Sequence, residues 1–85
     1  MKLVYTKSLK EDVQRLPVNI QSRLKTLIFL LERDFYHPYL HTKPLKEKWL
    51  GCFSFRITRG YRCIFQVRDD QIILLTVDHR KDVYR

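Results

Sequence analysis

Apolar residues recur along this chain with two different periods, and the change of period divides it into a helical and a stranded half. Residues 2–6 form a short β-prone run. Behind it Leu9, Val13 and Leu16 share one face of a helical spacing, and Ser8 with Glu11 has the spacing of a capping box, so a short helix is expected to start at Ser8. Pro17 cannot continue that helix but suits the first turn of another. In this second helix Ile20, Leu24, Leu27, Ile28 and Leu31 recur at helical spacing to about Asp34. Together the two predict an αα-hairpin.

From residue 35 to 50 the periodicity dissolves into His37-Pro38, Lys43-Pro44 and a cluster of lysines, which predicts a loop. The period then becomes two. Phe53, Phe55 and Ile57 alternate with Ser54, Arg56 and Thr58; after Thr58-Arg59-Gly60, Tyr61, Cys63, Phe65 and Val67 alternate with Arg62, Ile64 and Gln66. A hairpin with a left-handed residue at Gly60 pairs Ile57 with Tyr61, Phe55 with Cys63 and Phe53 with Phe65, and sets Arg56 opposite Arg62 on the other face. Residues 71–79, apolar on both faces, follow an Asp69-Asp70 turn and predict an interior strand. The order is β-α-α-β-β-β, an α+β fold in which the αα-hairpin covers one face of an antiparallel sheet and the open face carries Arg56 and Arg62. The place of the first strand in the sheet is left open.

Composition narrows the picture. A chain of 85 residues with 45% hydrophobic and 13% aromatic content supports one core, hence a single domain over residues 1–85. Seventeen Lys and Arg against nine Asp and Glu give a net charge of +8, which points to a polyanionic partner, nucleic acid or an acidic protein. No run reaches the length of a membrane span, and the opening residues lack the apolar core of a secretory signal, so the expected site of action is the cytoplasm, without membrane association. Cys52 and Cys63 lack zinc-site spacing and are expected to be free thiols. His37 and His41 are four residues apart, but Pro38 lies between them and no third ligand is evident, so neither a metal nor any other cofactor is expected.

Several segments, in order along the whole chain, resemble the RelE/ParE superfamily of type II toxins, in its RelE/YoeB-like branch. They are Pro44-Leu45-Lys46, Gly51, Ser54-Phe55-Arg56-Ile57-Thr58, Tyr61-Arg62, Asp69-Asp70 and His79-Arg80-Lys81-Asp82-Val83-Tyr84. The resemblance implies a RelE-like, microbial RNase-like fold and a toxin encoded beside an antitoxin. One branch of that superfamily cuts mRNA in the ribosomal A site and the other poisons DNA gyrase. Implied partners are a cognate antitoxin, in a toxin–antitoxin hetero-oligomer, and the ribosome with bound mRNA.

RNA cleavage by the 2′-hydroxyl needs a base, an acid and cations for the extra negative charge. With no cluster of carboxylates of two-metal character in the sequence, a metal-free route to a 2′,3′-cyclic phosphate is expected. Arg62 is the first candidate for the phosphate, since a planar guanidinium holds two oxygens at once, with Arg56 beside it. The resemblance assigns Arg80 to transition-state charge and Tyr84 to base stacking or to orienting the attacking hydroxyl. His79 is a candidate acid or base. Lys43, Lys46, Lys48 and Ser54 are candidate RNA contacts. Some members of the superfamily carry a glutamate base immediately before the Pro-Leu-Lys, where this chain has Lys43, so a glutamate mechanism is not expected. Arg62, Arg80 and Tyr84 together favour the nuclease. The alternatives are a gyrase inhibitor, a basic binding module neutralised by its antitoxin, or a relative that has lost its toxicity.

Overall fold

The structure is a computed structural model, and residues 1–79 are described. Five strands and two helices follow one another as β1 (Lys2–Tyr5), α1 (Lys7–Arg15), α2 (Val18–Arg33), β2 (Lys43–Pro44), β3 (Phe53–Thr58), β4 (Tyr61–Arg68) and β5 (Gln71–His79). Two single 3₁₀ turns, Pro38–Leu40 and Glu47–Trp49, flank β2. The segment expected to be a loop therefore contributes a strand. It is only two residues long and holds by pairing Lys43 with Ser54 and Pro44 with Phe53, which no periodicity could announce.

The sheet order is β1-β5-β4-β3-β2. Strands β3 to β5 form the expected antiparallel meander with β5 interior, and β2 adds to it antiparallel beside β3. Strand β1 joins the outer edge of β5 in parallel, Leu3 beside Ile72 and Val4 beside Ile73. A parallel pair needs a long crossover, which the helices and the strands after them provide. Leu9, Ile20, Leu24, Leu27 and Leu31 from the helices meet Phe55, Ile57, Cys63, Phe65, Ile72, Leu74 and Val77 from the sheet in one core. The fold is thus α+β with the helix pair on one face. The opposite face is not bare, because Ser54 and its register partner Ile64 are buried there.

The start of α1 departs from the sequence expectation. Its cap is Thr6 and not Ser8: the Thr6 hydroxyl accepts from the Leu9 N–H at 3.2 Å. The same hydroxyl lies 2.8 Å from the Leu74 carbonyl and 3.0 Å from that of Leu75, so it also ties the helix to β5. A tertiary partner thus outweighs a local capping pattern. Thr6→Ala is expected to cost about 1–2 kcal/mol, a drop in Tm of roughly 5–10 °C. An unchanged melting curve would show that the link is not structural. At the far end of α1, the Gln21 side chain donates to the carbonyls of Val13 and Leu16, each at 2.9 Å, and so closes the αα-hairpin.

Two register shifts shape the sheet. In the β3–β4 hairpin, Phe53–Phe65, Phe55–Cys63 and Arg56–Arg62 pair as predicted, but the last pair is Thr58 with Tyr61, and Ile57 is the extra residue. Ile57 stays on the core face at 1% exposure, and the Thr58 hydroxyl accepts the Gly60 N–H at 3.3 Å. Gly60 accordingly does not take up the left-handed conformation expected of it.

The second shift falls between β4 and β5, where Phe65 pairs with Leu74 but Ile64 pairs with Thr76, leaving Leu75 as the extra residue. Asp12 of α1 clamps it, accepting from the Val77 N–H at 3.1 Å and from the Thr76 hydroxyl. Beyond such a bulge every side chain exchanges faces. Val77 enters the core, and Asp78 comes alongside Arg62.

Candidate functional site

At the β2 end of the sheet a cleft of about 320 Å³ opens on the face opposite the helices. The β2 segment supplies His41, Thr42 and Lys43; β3 supplies Ser54, Arg56 and Thr58; the hairpin turn and β4 supply Arg59, Tyr61 and Arg62. Its charged lining is Lys43, Arg56, Arg59 and Arg62, with no carboxylate among the described lining residues.

Register explains why these cations gather. Lys43 is opposite Ser54, Arg56 is opposite Arg62, and Arg62 is in turn opposite Asp78. The Arg56–Arg62 neighbours cost the sheet a fraction of a kcal/mol up to about 1 kcal/mol, and Asp78 offsets one of the two charges. Arg62 lies on β4, hydrogen-bonded on both sides, and is half-buried with its Nε enclosed, whereas Arg56 is exposed. The inner guanidinium is therefore held and the outer one is free to adapt. An anion between them gains two cations at once.

Four of the expected site residues come together here: Lys43, Ser54, Arg56 and Arg62. Lys46 and Lys48 do not line the cleft. Both flank or belong to the second 3₁₀ turn, and Lys48 Nζ lies 5.7 Å from the centre of the Trp49 ring. His79 is not among the residues that line the cleft either. The bulge at Leu75 pairs His79 with Tyr61, one position out of phase with Arg62 and Asp78, and its ring packs edge-on against Tyr61 at 4.9 Å. Arg80 and Tyr84 lie outside the described residues.

His41, Arg59 and Tyr61 line the cleft without having been singled out for it. Arg59 was visible only as a hairpin residue, Tyr61 as a hairpin residue and as part of the superfamily-like Tyr61-Arg62 segment, and His41 only as half of a rejected metal pair. Its former partner His37 has a structural task, since its Nδ1 accepts the Tyr39 N–H at 3.1 Å. Among the described residues no group of three His, Cys, Asp or Glu could hold a metal ion. No helix among them is long and apolar enough to cross a membrane.

Cys63 lies beneath the site on the core side and is fully buried. Burial pushes its thiol far above the ordinary range, and the negative charges of Asp12 and Asp78 push it further. It is thus no nucleophile at neutral pH. The folded-state pKa is raised, so the associated stability is intact below the ordinary thiol value of about 8.5 and is lost as pH rises above it. Unfolding in urea is expected to become easier above about pH 8.5 by up to roughly 1.4 kcal/mol per pH unit, and Cys63→Val is expected to lack this slope. Equal slopes in the two proteins would count against it.

Taken as a whole, the chain is similar to known toxins. The family model described as the ParE toxin of the type II toxin–antitoxin system parDE matches residues 3–84. Toxin RelG of Mycobacterium tuberculosis is 34% identical in an alignment that covers 95% of this chain and 92% of the relative. The YoeB/ParE toxin from Agrobacterium tumefaciens superposes with a TM-score of 0.79 at 25% identity, over 94% of this chain and 99% of that one. The toxin–antitoxin complex RelBE2 from Mycobacterium tuberculosis contains a chain that superposes with a TM-score of 0.76 at 28% identity, over 93% of this chain and 96% of that one.

Proposed function

Because the chain belongs to the RelE/ParE superfamily of toxins from type II toxin–antitoxin systems, we propose that it is a ribosome-dependent endoribonuclease that cleaves mRNA in the A site and so stops translation. The observation that carries this reading is the pairing of Arg56 with Arg62 in a cleft lined by four cations and no described carboxylate. Such a cleft binds a phosphodiester and stabilises the additional charge of its transition state. The attacking group is the RNA's own 2′-hydroxyl, in a metal-free reaction.

In this reading Arg62 grips the scissile phosphate through its planar fork and Arg56 neutralises the charge that develops there. Lys43 and Ser54 line the RNA path, and Lys46 and Lys48 hold backbone phosphates outside the cleft. His79 supports the Tyr61 ring from the neighbouring strand. Arg80 and Tyr84, which follow directly in the chain, keep their proposed parts in charge neutralisation and base stacking. The protein acts in the cytoplasm on ribosomes, and a cognate antitoxin silences it in a hetero-oligomer. The RelBE2 complex supports that partner by likeness.

The test is translation in vitro with purified ribosomes and a defined mRNA, with cleavage mapped by primer extension. Cuts confined to A-site codons and absent without ribosomes support the nuclease. The ParE description of the matching family model favours a second reading, inhibition of DNA gyrase. No cuts, together with inhibited DNA supercoiling, would move the protein to it.

A further inference from the structure

A nuclease of this type needs a group that can both take up and release a proton near neutral pH. Of the side-chain types, imidazole is the one whose ordinary titration falls in that range. His79, the histidine that adjoins the superfamily-like tail, is turned towards Tyr61 by the bulge. Among the described residues that line the cleft, His41 is the one imidazole.

The backbone around His41 is unusually constrained. The residue sits in the left-handed region at φ 49° and ψ 44°, where a side chain is tolerated only if its surroundings hold it. They do so from both sides. Leu40 is fully buried, the His41 N–H donates to the Pro38 carbonyl at 3.3 Å, the Thr42 hydroxyl donates to the Phe35 carbonyl, and Lys43 is paired into the sheet opposite Ser54. The backbone that carries the exposed His41 side chain is thereby held in place beside a cationic cleft.

We infer that His41 is the general base of the reaction, a role that rests on the nuclease reading above. One imidazole nitrogen takes the proton of the 2′-hydroxyl as the 2′-oxygen bonds to phosphorus. The bond from phosphorus to the 5′-oxygen breaks, and that oxygen takes a proton from water. The products are a 2′,3′-cyclic phosphate and a 5′-hydroxyl, and the imidazolium returns its proton to the hydroxide left behind. The titratable groups that share the cleft with His41 are Lys43, Arg56, Arg59, Tyr61 and Arg62.

The experiment is single-turnover cleavage on programmed ribosomes for wild type, His41→Asn, His41→Gly and His37→Asn, between about pH 5.5 and about pH 8. Asn and Gly both accept the left-handed backbone, so these variants should fold, as their melting curves will show. His41→Asn is expected to slow cleavage by about 100-fold or more and to lose the wild type's rise in rate with pH. Added imidazole should restore cleavage to His41→Gly, and His37→Asn should cleave like wild type. Cleavage by His41→Asn within about threefold of wild type, with an unchanged pH profile, would overturn His41 as the base and leave the nuclease standing. A wild type that never cuts would overturn both.

Discussion

Replacing Arg62 with alanine is expected to reduce A-site cleavage by about 100- to 1,000-fold, the loss typical of removing one group that stabilises transition-state charge. Arg62 is the inner cation of the Arg56–Arg62 pair, half-buried on a strand bonded to neighbours on both sides. Arg62→Lys keeps the charge but loses the two-pronged fork, and an intermediate rate is expected of it. Arg56→Ala, at the exposed position, should cost less than Arg62→Ala. Because Arg62 also stands opposite Asp78, each variant's melting temperature must be measured beside its rate. A folded Arg62→Ala protein that cuts within a few-fold of wild type would remove Arg62 from the phosphate site.

The largest expected effect on stability is that of Phe65→Ala. Phe65 is fully buried on β4 and is the hub of the aromatic core: its ring centre lies 5.6 Å from that of Phe53, 5.9 Å from that of Phe55 and 6.2 Å from that of Phe35. Truncation removes the transfer energy of the ring and leaves a cavity under three others, a cost of about 3–5 kcal/mol. Against a total stability of roughly 5–15 kcal/mol for a typical domain, that is enough to leave a sizeable unfolded fraction at physiological temperature. Phe29, 64% exposed on α2, provides the comparison, and Phe29→Ala should stay within about 0.5 kcal/mol of wild type. Similar urea midpoints for the two alanine variants would mean that the core is not organised around Phe65.

Both predictions use features legible to different degrees in the chain. The periods of 3.6 and two placed both helices and the β3–β4 hairpin, and the alternation through Phe53, Phe55, Cys63 and Phe65 identified the core face and set Arg56 against Arg62. Near the chain's bends the same logic failed. The capping box at Ser8 was plausible by itself, yet Thr6 caps α1 because its hydroxyl also reaches β5, 68 residues away. Strand β2 has too few residues to show any period. His41 carries no local mark of its place in the cleft, since that follows from how the segment around it is pinned to the sheet.

By itself the sequence determined the two helices, the β3–β4 hairpin and the strand after it, the α+β class, the core face of the helices and the hairpin, the +8 charge and the juxtaposition of two arginines. All of these depend on periodicity and composition, which are local properties of the chain. The tertiary structure alone decided that β1 lies parallel to β5, that a two-residue strand closes the other edge, and which histidine faces the cleft. The last turns on one extra residue. Without the bulge at Leu75, strict alternation would put His79 on the face of Arg62; with it, Asp78 takes that place and His79 packs on Tyr61. The bulge is held by Asp12 from α1, across 64 residues of chain, and a contact of that range leaves no trace in a local pattern.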